Sequence, residues 1–176
     1  QQDGAYNQNG VFKIESNLNG EEVFEINFEK FSFAETRHLN QLIDYEYYAT
    51  NRSRIQRLYK TPSNPLSIYG NMQNDGLLNI KDSLDYQYTI RVTDLKGNEK
   101  LIRIPIKGQI SDKIVKREKL ETDYLASSEN GLSAKGGKMD VYIPGGSLYN
   151  DTYLDINFSD DVVTVHRDEI PLHKNF

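Results

Sequence analysis

The sequence contains no cysteine, no tryptophan and only two methionines among its 176 residues. Without cysteine the chain can form neither a disulfide scaffold nor a zinc site with thiolate ligands. It also lacks any run of about 18 apolar residues, so no transmembrane segment is expected. Residues 1–4 lack the basic and apolar regions of a signal peptide and are not expected to be one.

Positive charge is also in short supply. The chain carries 21 Lys and Arg against 26 Asp and Glu, which gives a formal net charge of −5. A nucleic-acid-binding domain normally presents a basic face, so this composition argues against a nucleic-acid partner. Tyrosine, by contrast, is abundant, with 12 residues. Tyr-rich sequences favour sheets over helices.

Apolar and polar residues alternate in two runs near the start, at 11–18 and 21–28. Side chains that repeat every second residue line one face of a β-strand. Between the runs lie Asn19 and Gly20, a pair that readily takes the positive φ angles of a tight turn. The sequence therefore predicts a β-hairpin here.

A second alternating pair covers 86–94 and 100–106, with a turn between them. This pattern is typical of the last hairpin of an immunoglobulin-like sandwich, in which a tyrosine ties back to the preceding corner. Tyr86 and Tyr88 are the candidates for that tyrosine. We therefore predict an all-β fold whose first domain, 1–108, is an immunoglobulin-like β-sandwich.

The composition changes after residue 108. Residues 109–138 are first highly charged and then rich in Ser, Gly and Asn, which is typical of a linker. Alternation then predicts three strands, at 139–144, 152–158 and 162–166. Because three strands bury a core poorly, residues 139–176 are predicted to be the opening strands of a second β domain that is truncated or pairs with something else.

The middle of the chain, 29–75, is irregular in pattern. Residues 35–44 indicate a short helical turn, and short strands are expected elsewhere in this stretch. Tyr and Arg are enriched in binding hot spots, and exposed aromatic rings also form sugar-binding faces. The alternative is that the rings fill the core or an edge of a sheet. The candidate binding residues are Tyr45, Tyr47, Tyr48, Arg52, Arg54 and Arg57.

Catalytic and metal-binding patterns are missing from the sequence. Its three histidines are His38, His166 and His173. They form neither His-x-His nor His-Glu-x-x-His, the local patterns that bring zinc ligands together. No Gly-x-Ser-x-Gly nucleophile motif occurs either. Asp155, Asp160 and Asp161 offer carboxylates that suit calcium, although an acidic turn between two strands is the simpler account. We predict no catalytic or metal-binding residue.

Eight blocks of the chain stand out together: 31–33 (FSF), 35–37 (ETR), 42–48 (LIDYEYY), 54–59 (RIQRLY), 64–69 (NPLSIY), 104–108 (IPIKG), 143–154 (IPGGSLYNDTYL) and 171–176 (PLHKNF). These blocks resemble a region of Bacteroidota envelope proteins that directly follows a lysostaphin-like zinc metallopeptidase domain. In that family the catalytic zinc is held by a His, an Asp and a later His-x-His. This chain contains none of these ligands, so the resemblance assigns no catalytic residue here.

The resemblance implies a non-catalytic region of a peptidoglycan metalloendopeptidase, exported to the periplasm or the outer-membrane side of the envelope. Such a region is expected to position the catalytic domain or to bind an envelope protein or peptidoglycan. Zinc is expected only in an upstream catalytic domain, and no cofactor in this chain. The alternative is a pure protein-binding or structural module of an outer-membrane or cell-surface assembly, with no enzyme activity.

Overall fold

The structure is a computed structural model that describes residues 10–30, 32–110, 122–165 and 170–172. These residues form two compact units. The first contains the described residues up to Thr36, then Leu58–Lys60, and those from Leu66 to 110. The second contains Arg37–Arg57, Thr61–Pro65 and the described residues after 121. Strands make up most of the regular structure, so the all-β prediction is confirmed.

The first unit is built on one antiparallel sheet in the order β3-β2-β1-β4-β5. Its strands are β1 Val11–Leu18, β2 Glu21–Asn27, β3 Tyr69–Met72, β4 Asp85–Asp94 and β5 Glu99–Lys107. Both predicted hairpins are therefore present. In the first turn Asn19 has φ 51° and Gly20 has φ 90°, the left-handed conformations that a two-residue turn requires.

One face of this sheet carries buried apolar side chains. Ile14 pairs with Ile26 across β1 and β2, and both are buried, as are Phe24 on β2 and Tyr88 on β4. All named strands in the described part of this unit belong to the one sheet. The immunoglobulin-like sandwich needs a second sheet and stays a prediction. Of its candidate corner tyrosines, Tyr86 ties back to the preceding corner by donating from its hydroxyl to Asp82 Oδ2 at 2.8 Å.

The segment between β2 and β3 contains two helices. A 3₁₀ helix covers Phe33–Leu42, and the α-helix α1 covers Tyr45–Asn51. A second short 3₁₀ turn, Asn74–Gly76, follows β3. The helical turn predicted at 35–44 is confirmed. Of the short strands expected across 29–75, the described residues form one, β3. The tyrosines that follow Asp44 form a helix instead, because Asp44 caps the start of α1.

Six short strands lie in the described part of the second unit. They are β6 Tyr124–Ala126, β7 Gly131–Gly136, β8 Met139–Pro144, β9 Thr152–Leu154, β10 Ile156–Phe158 and β11 Val163–Val165. They pair as β6–β9, β7–β8 and β10–β11. All three predicted strands are present, the middle one divided at Asp155. Their core is a buried cluster of Ala126, Ala134, Ile143, Leu148, Leu154 and Ile156.

The structure divides the chain differently from the predicted domain boundaries and linker. Strands β6 and β7 lie inside the predicted linker, 109–138, and residues 37–57 belong to the second unit instead of the first. The Ser- and Gly-rich composition suggested a linker, yet Ala126 and Ala134 are buried in the core of the second unit. Residues 1–9, Phe31, 111–121, 166–169 and 173–176 lie outside the described residues, so the predictions for His166 and His173 do too.

Candidate functional site

Helix α1 carries the three candidate tyrosines, and both of its ends are fixed. Asp44 Oδ1 accepts a hydrogen bond from the Tyr47 backbone N–H at 3.1 Å, which caps the first turn. At the other end Arg52 takes a left-handed conformation, φ 55°, and its N–H donates to the Tyr48 carbonyl at 2.9 Å. The helix thus holds its tyrosines in defined directions.

The chain on either side of α1 is tied together. The Asp44 N–H donates to the Ile55 carbonyl at 2.9 Å, and the Arg57 N–H donates to the Leu42 carbonyl at 2.8 Å. The Gln56 side chain also donates from Nε2 to the Leu42 carbonyl, at 2.8 Å. These bonds close a loop around α1 and hold the helix in place.

The structure divides the six predicted residues into two groups. Tyr47 is 40% exposed. The Arg54 guanidinium lies 5.5 Å from the centre of the half-buried Tyr48 ring, within cation–π range. Exposed Arg52 ends the helix beside them. Tyr47, Tyr48, Arg52 and Arg54 are called the Tyr/Arg surface below. The remaining two, Tyr45 and Arg57, line a cleft instead.

The charge of this region is opposite in sign to that of the chain. Residues 37–57 contain four Arg against one Asp and one Glu, which gives +4 − 2 = +2. The whole chain carries −5. A local excess of cations on an acidic protein attracts acidic partners and steers their approach.

Two neighbouring clefts open in the second unit. The smaller has a volume of about 160 Å³, and Tyr149 and Asn150 line both clefts. The smaller cleft is also lined by Gln41, Tyr45, Glu46, Arg57, Thr152, Ile170 and Pro171. The larger, of about 560 Å³, is also lined by Pro62, Ser127, Ser128, Glu129, Asn130 and Asp151. We call them together the polar cleft.

Hydrogen bonds within the second unit fix the walls of the polar cleft. The Asp151 carboxylate accepts from the Ser128 N–H at 2.8 Å and from the Ser128 hydroxyl at 3.0 Å. These two bonds hold the pKa of Asp151 below its ordinary value. Gln41, which is almost fully buried, accepts from the Thr61 hydroxyl at 3.3 Å through Oε1. The cleft is therefore largely formed before any ligand arrives.

His38 and Tyr149 form a buried pair that sequence reasoning missed. The Arg37 Nε–H donates to His38 Nε2 at 3.2 Å, so in the neutral imidazole the proton is assigned to Nδ1, which then donates to the Tyr149 hydroxyl. Burial raises the pKa of Tyr149, and the nearby Arg37 charge partly offsets that rise. The pair spans 111 positions in the sequence, a separation that no local motif reveals.

Among the described residues, one cluster of three carboxylates is close enough to share a metal ion, and it lies in the first unit. Glu15, Glu22 and Glu25 place their carboxylate oxygens within 4.8 Å of one another. Lys13 already pairs with two of them, at 3.0 Å to Glu15 and 3.2 Å to Glu25. Burial raises the pKa of Glu22, with further increases from Glu25 and Glu15. Lys13 thus pairs with two of the three carboxylates, whereas Glu22 Oε1 is buried and has no hydrogen-bond partner among the described residues.

The carboxylates considered for calcium are not brought together. Asp155, Asp160 and Asp161 are exposed. They do not form a group of this kind within the described ranges. Asp155 Oδ1 accepts from the Asn157 side chain at 3.2 Å, and the other two occupy the turn between β10 and β11. The arrangement fits an acidic turn.

Comparison with known proteins identifies no relative: no family model, no curated protein and no solved structure matches this chain. Among the helices of the described residues, none has the length and apolar character needed to cross a membrane.

Proposed function

We propose that this chain is a non-catalytic docking region of a cell-envelope protein, and that the Tyr/Arg surface is its docking face. The observation that carries the proposal is the arrangement around α1. This segment carries an exposed tyrosine, an Arg–Tyr stack and a second exposed arginine. Backbone hydrogen bonds tie together the chain on either side of α1. Tyr and Arg side chains of this kind supply a large share of the binding energy in protein interfaces.

The local charge supports an acidic partner. The positive segment 37–57 repels other cations and attracts carboxylates, while the rest of the acidic chain disfavours contact elsewhere. Arg54 is pre-positioned by its stacking on Tyr48, so little side-chain entropy is lost when a carboxylate binds it.

The proposed setting is a peptidoglycan metalloendopeptidase of the lysostaphin type. This part of the proposal rests on the sequence resemblance. In that setting the chain works in the periplasm or on the outer-membrane side, where it positions an upstream catalytic domain on an envelope protein or on peptidoglycan. That upstream domain would hold the zinc.

Co-sedimentation of the intact chain with purified bacterial envelopes tests the docking face. The double variant Tyr47→Ala/Arg54→Ala is expected to bind at least about tenfold more weakly than the wild type, because it removes two hot-spot side chains. The matched control is Tyr142→Ala/Arg103→Ala, which removes an exposed tyrosine and an exposed arginine elsewhere. Equal retention of both variants would overturn the proposal.

The same assay separates the possible partners. Protease treatment of the envelopes before the assay abolishes binding when the partner is a protein. Binding that survives protease and is lost after muramidase digestion points to peptidoglycan. The rival function, a structural module with no enzyme attached, is distinguished by the coding sequence upstream of Gln1. A His…Asp…His-x-His pattern there supports the peptidase setting, and its absence supports the rival.

A zinc titration of the purified chain tests the non-catalytic part of the proposal. We expect no stoichiometric zinc binding by calorimetry, because the His38 side chain is buried between Arg37 and Tyr149 and the chain has no local ligand pair. Tight one-to-one binding that disappears in the His38→Ala variant would contradict this assignment.

A further inference from the structure

The polar cleft has a lining that neither the Tyr/Arg surface nor the docking role uses. It combines the half-buried Tyr45 ring with the exposed side-chain amides of Asn130 and Asn150, whereas Tyr149 and Gln41, which also line it, are only 3% and 1% exposed. Serine and threonine hydroxyls complete the polar wall, and Pro62 and Pro171 add flat apolar surface. The larger part, about 560 Å³, falls in the range of small-molecule sites, roughly 300–1,000 Å³.

The charges of the lining narrow the class of ligand. One cation, Arg57, stands against three carboxylates, those of Glu46, Glu129 and Asp151, which gives +1 − 3 = −2. A phosphorylated or otherwise strongly anionic ligand is repelled by this balance. The three carboxylates do not converge into a metal-binding group of the described residues. A purely apolar ligand is disfavoured too, because it would leave the amides and hydroxyls of the cleft unpaired.

We propose that the polar cleft binds an uncharged saccharide chain. Sugar hydroxyls act as both donors and acceptors, and amide and carboxylate side chains match both roles. The C–H face of a pyranose ring is apolar and packs on an aromatic ring such as that of Tyr45. Two adjoining clefts that share Asn150 provide room for more than one sugar ring.

The cleft is pre-organised for such a ligand. The loop that carries Ser127 and Ser128 closes on itself, with the Gly131 N–H donating to the Ser127 carbonyl at 2.8 Å. The Gly146 N–H donates to the Ser128 carbonyl at 2.7 Å. Rigid walls lower the entropic cost of binding, which matters for a ligand that gains only modest energy from each hydroxyl.

This inference deepens the proposed function, since it names a chemical class that a docking region of an envelope protein would hold. Its residues are not those of the Tyr/Arg surface, but the Tyr45 ring lies 6.2 Å from the Tyr48 ring, so Asn150→Ala is the variant that separates the two proposals. Loss of the envelope-binding effect at Tyr47 and Arg54 leaves saccharide binding in the cleft untouched, and the reverse also holds.

Saccharide titrations of the intact chain, followed by two-dimensional NMR, test the inference. The probes are the tetramer of β-1,4-linked N-acetylglucosamine and cellotetraose. We expect at least one probe to shift the amide signals of residues in the polar cleft. Tyr45→Ala and Asn150→Ala should weaken that binding at least tenfold, while Tyr45→Phe, which keeps the ring, should bind as the wild type does.

Tyr142→Ala is the matched control, because Tyr142 is an exposed tyrosine of β8 in the same unit and does not line the cleft. Circular dichroism establishes that each variant is folded. The inference is overturned if neither probe shifts any signal of the wild type. It is equally overturned if Tyr142→Ala weakens binding as much as Tyr45→Ala does.

Discussion

Gly131 shows how one residue secures the loop beside the polar cleft. It has φ +77°, and a Cβ atom added there would lie 2.0 Å from the Ile143 carbonyl oxygen. That oxygen belongs to the backbone, so it cannot move aside cheaply. Gly137 has a similar φ, +61°, but its Cβ would meet open space. Alanine substitutions at these two glycines therefore separate the cost of a left-handed φ from the cost of a steric clash.

We predict that Gly131→Ala lowers the free energy of unfolding by more than about 3 kcal/mol, because it adds a backbone clash to an unfavourable φ. Gly137→Ala should cost only about 1–2 kcal/mol, the strain of a left-handed alanine. Urea unfolding of both variants measures the difference. Equal costs would show that the close approach at Gly131 is not as described.

Asp94 gives the first unit a pH-dependent turn. Its carboxylate accepts from the Asn98 side chain at 2.8 Å and from the backbone N–H groups of Asn98 and Lys96 at 2.8 and 2.9 Å. These bonds, led by the Asn98 side chain, hold the pKa of Asp94 below its ordinary value of 3.8. The folded chain therefore takes up this proton later than the unfolded chain does as the pH falls.

We predict that the stability supplied by Asp94 is fully present above pH 3.8 and is lost as the pH falls through the folded-state pKa. The Asp94→Asn variant should therefore lose stability less steeply over this acidic range. Adding Asp151→Asn should flatten the profile further, because the pKa of Asp151 is lowered as well. Urea unfolding at a series of pH values gives the slopes, and superimposable slopes would refute the prediction.

Among the elements, strand β5 lies exposed at the edge of the sheet, and its sequence discourages pairing with another strand. The Gly108 N–H donates to the Leu84 carbonyl at 2.8 Å, so these two residues form a hydrogen-bonded pair. Such pairs alternate with non-hydrogen-bonded pairs along an antiparallel ladder, and Pro105, which is opposite Gln87, is in a non-hydrogen-bonded pair. The nitrogen of Pro105 therefore points away from β4. A proline at such a position removes a donor that a neighbouring strand would need. Arg103 and Lys107 add charge to the same edge, which further discourages pairing.

Replacing Pro105 with valine should restore that donor and promote self-association through β5. We expect the weight-average mass of Pro105→Val to rise above that of the wild type with concentration in sedimentation experiments. Pro65→Val, at an exposed proline outside the strands, is the control and should behave as the wild type does. If both variants match the wild type, β5 is protected by something other than its proline.

The elements that the sequence predicts correctly are those with local causes. The Asn19–Gly20 turn and the period-two alternation define the first hairpin, and β8 begins and ends where its alternation does. Helix α1 was missed because tyrosine composition favours sheets, whereas the Asp44 cap decides the local conformation. Strands β6 and β7 were missed because buried alanines resemble the small residues of a linker.

The candidate site was predictable only in part, for a related reason. Tyr and Arg side chains predict binding only in general terms; the structure stacks Arg54 on Tyr48 and leaves Tyr47 and Arg52 exposed. Tyr45 and Arg57 instead line the cleft, together with Tyr149 and Asn150, which lie about a hundred residues away along the chain. Contacts at that separation depend on tertiary packing, which local pattern does not encode.

At the scale of the whole molecule, the division of the chain into units governs the account of function. Residues 37–57 lie between β2 and β3 in the sequence but belong to the second unit. His38 and its partner Tyr149 are part of that arrangement. The Tyr/Arg surface and the polar cleft therefore share one folded unit, and their rigidity depends on its core.

Two isoleucines test this assignment as a matched pair. Ile26 is fully buried in the first unit, and Ile143 is 1% exposed in the core of the second. Truncation of either to alanine should cost about 2–5 kcal/mol and loosen the unit that contains it. Since α1 belongs to the second unit, its amides should respond to Ile143→Ala.

Hydrogen exchange of these two variants measures the central claim most directly. The account predicts that Ile143→Ala speeds exchange at the Tyr48 and Arg52 amides, together with those of β7 and β8, and leaves the β1–β2 hairpin protected. Ile26→Ala should do the reverse. Faster exchange of the α1 amides in Ile26→Ala, with no change in Ile143→Ala, would contradict the account, because the Tyr/Arg surface would then belong to the first unit.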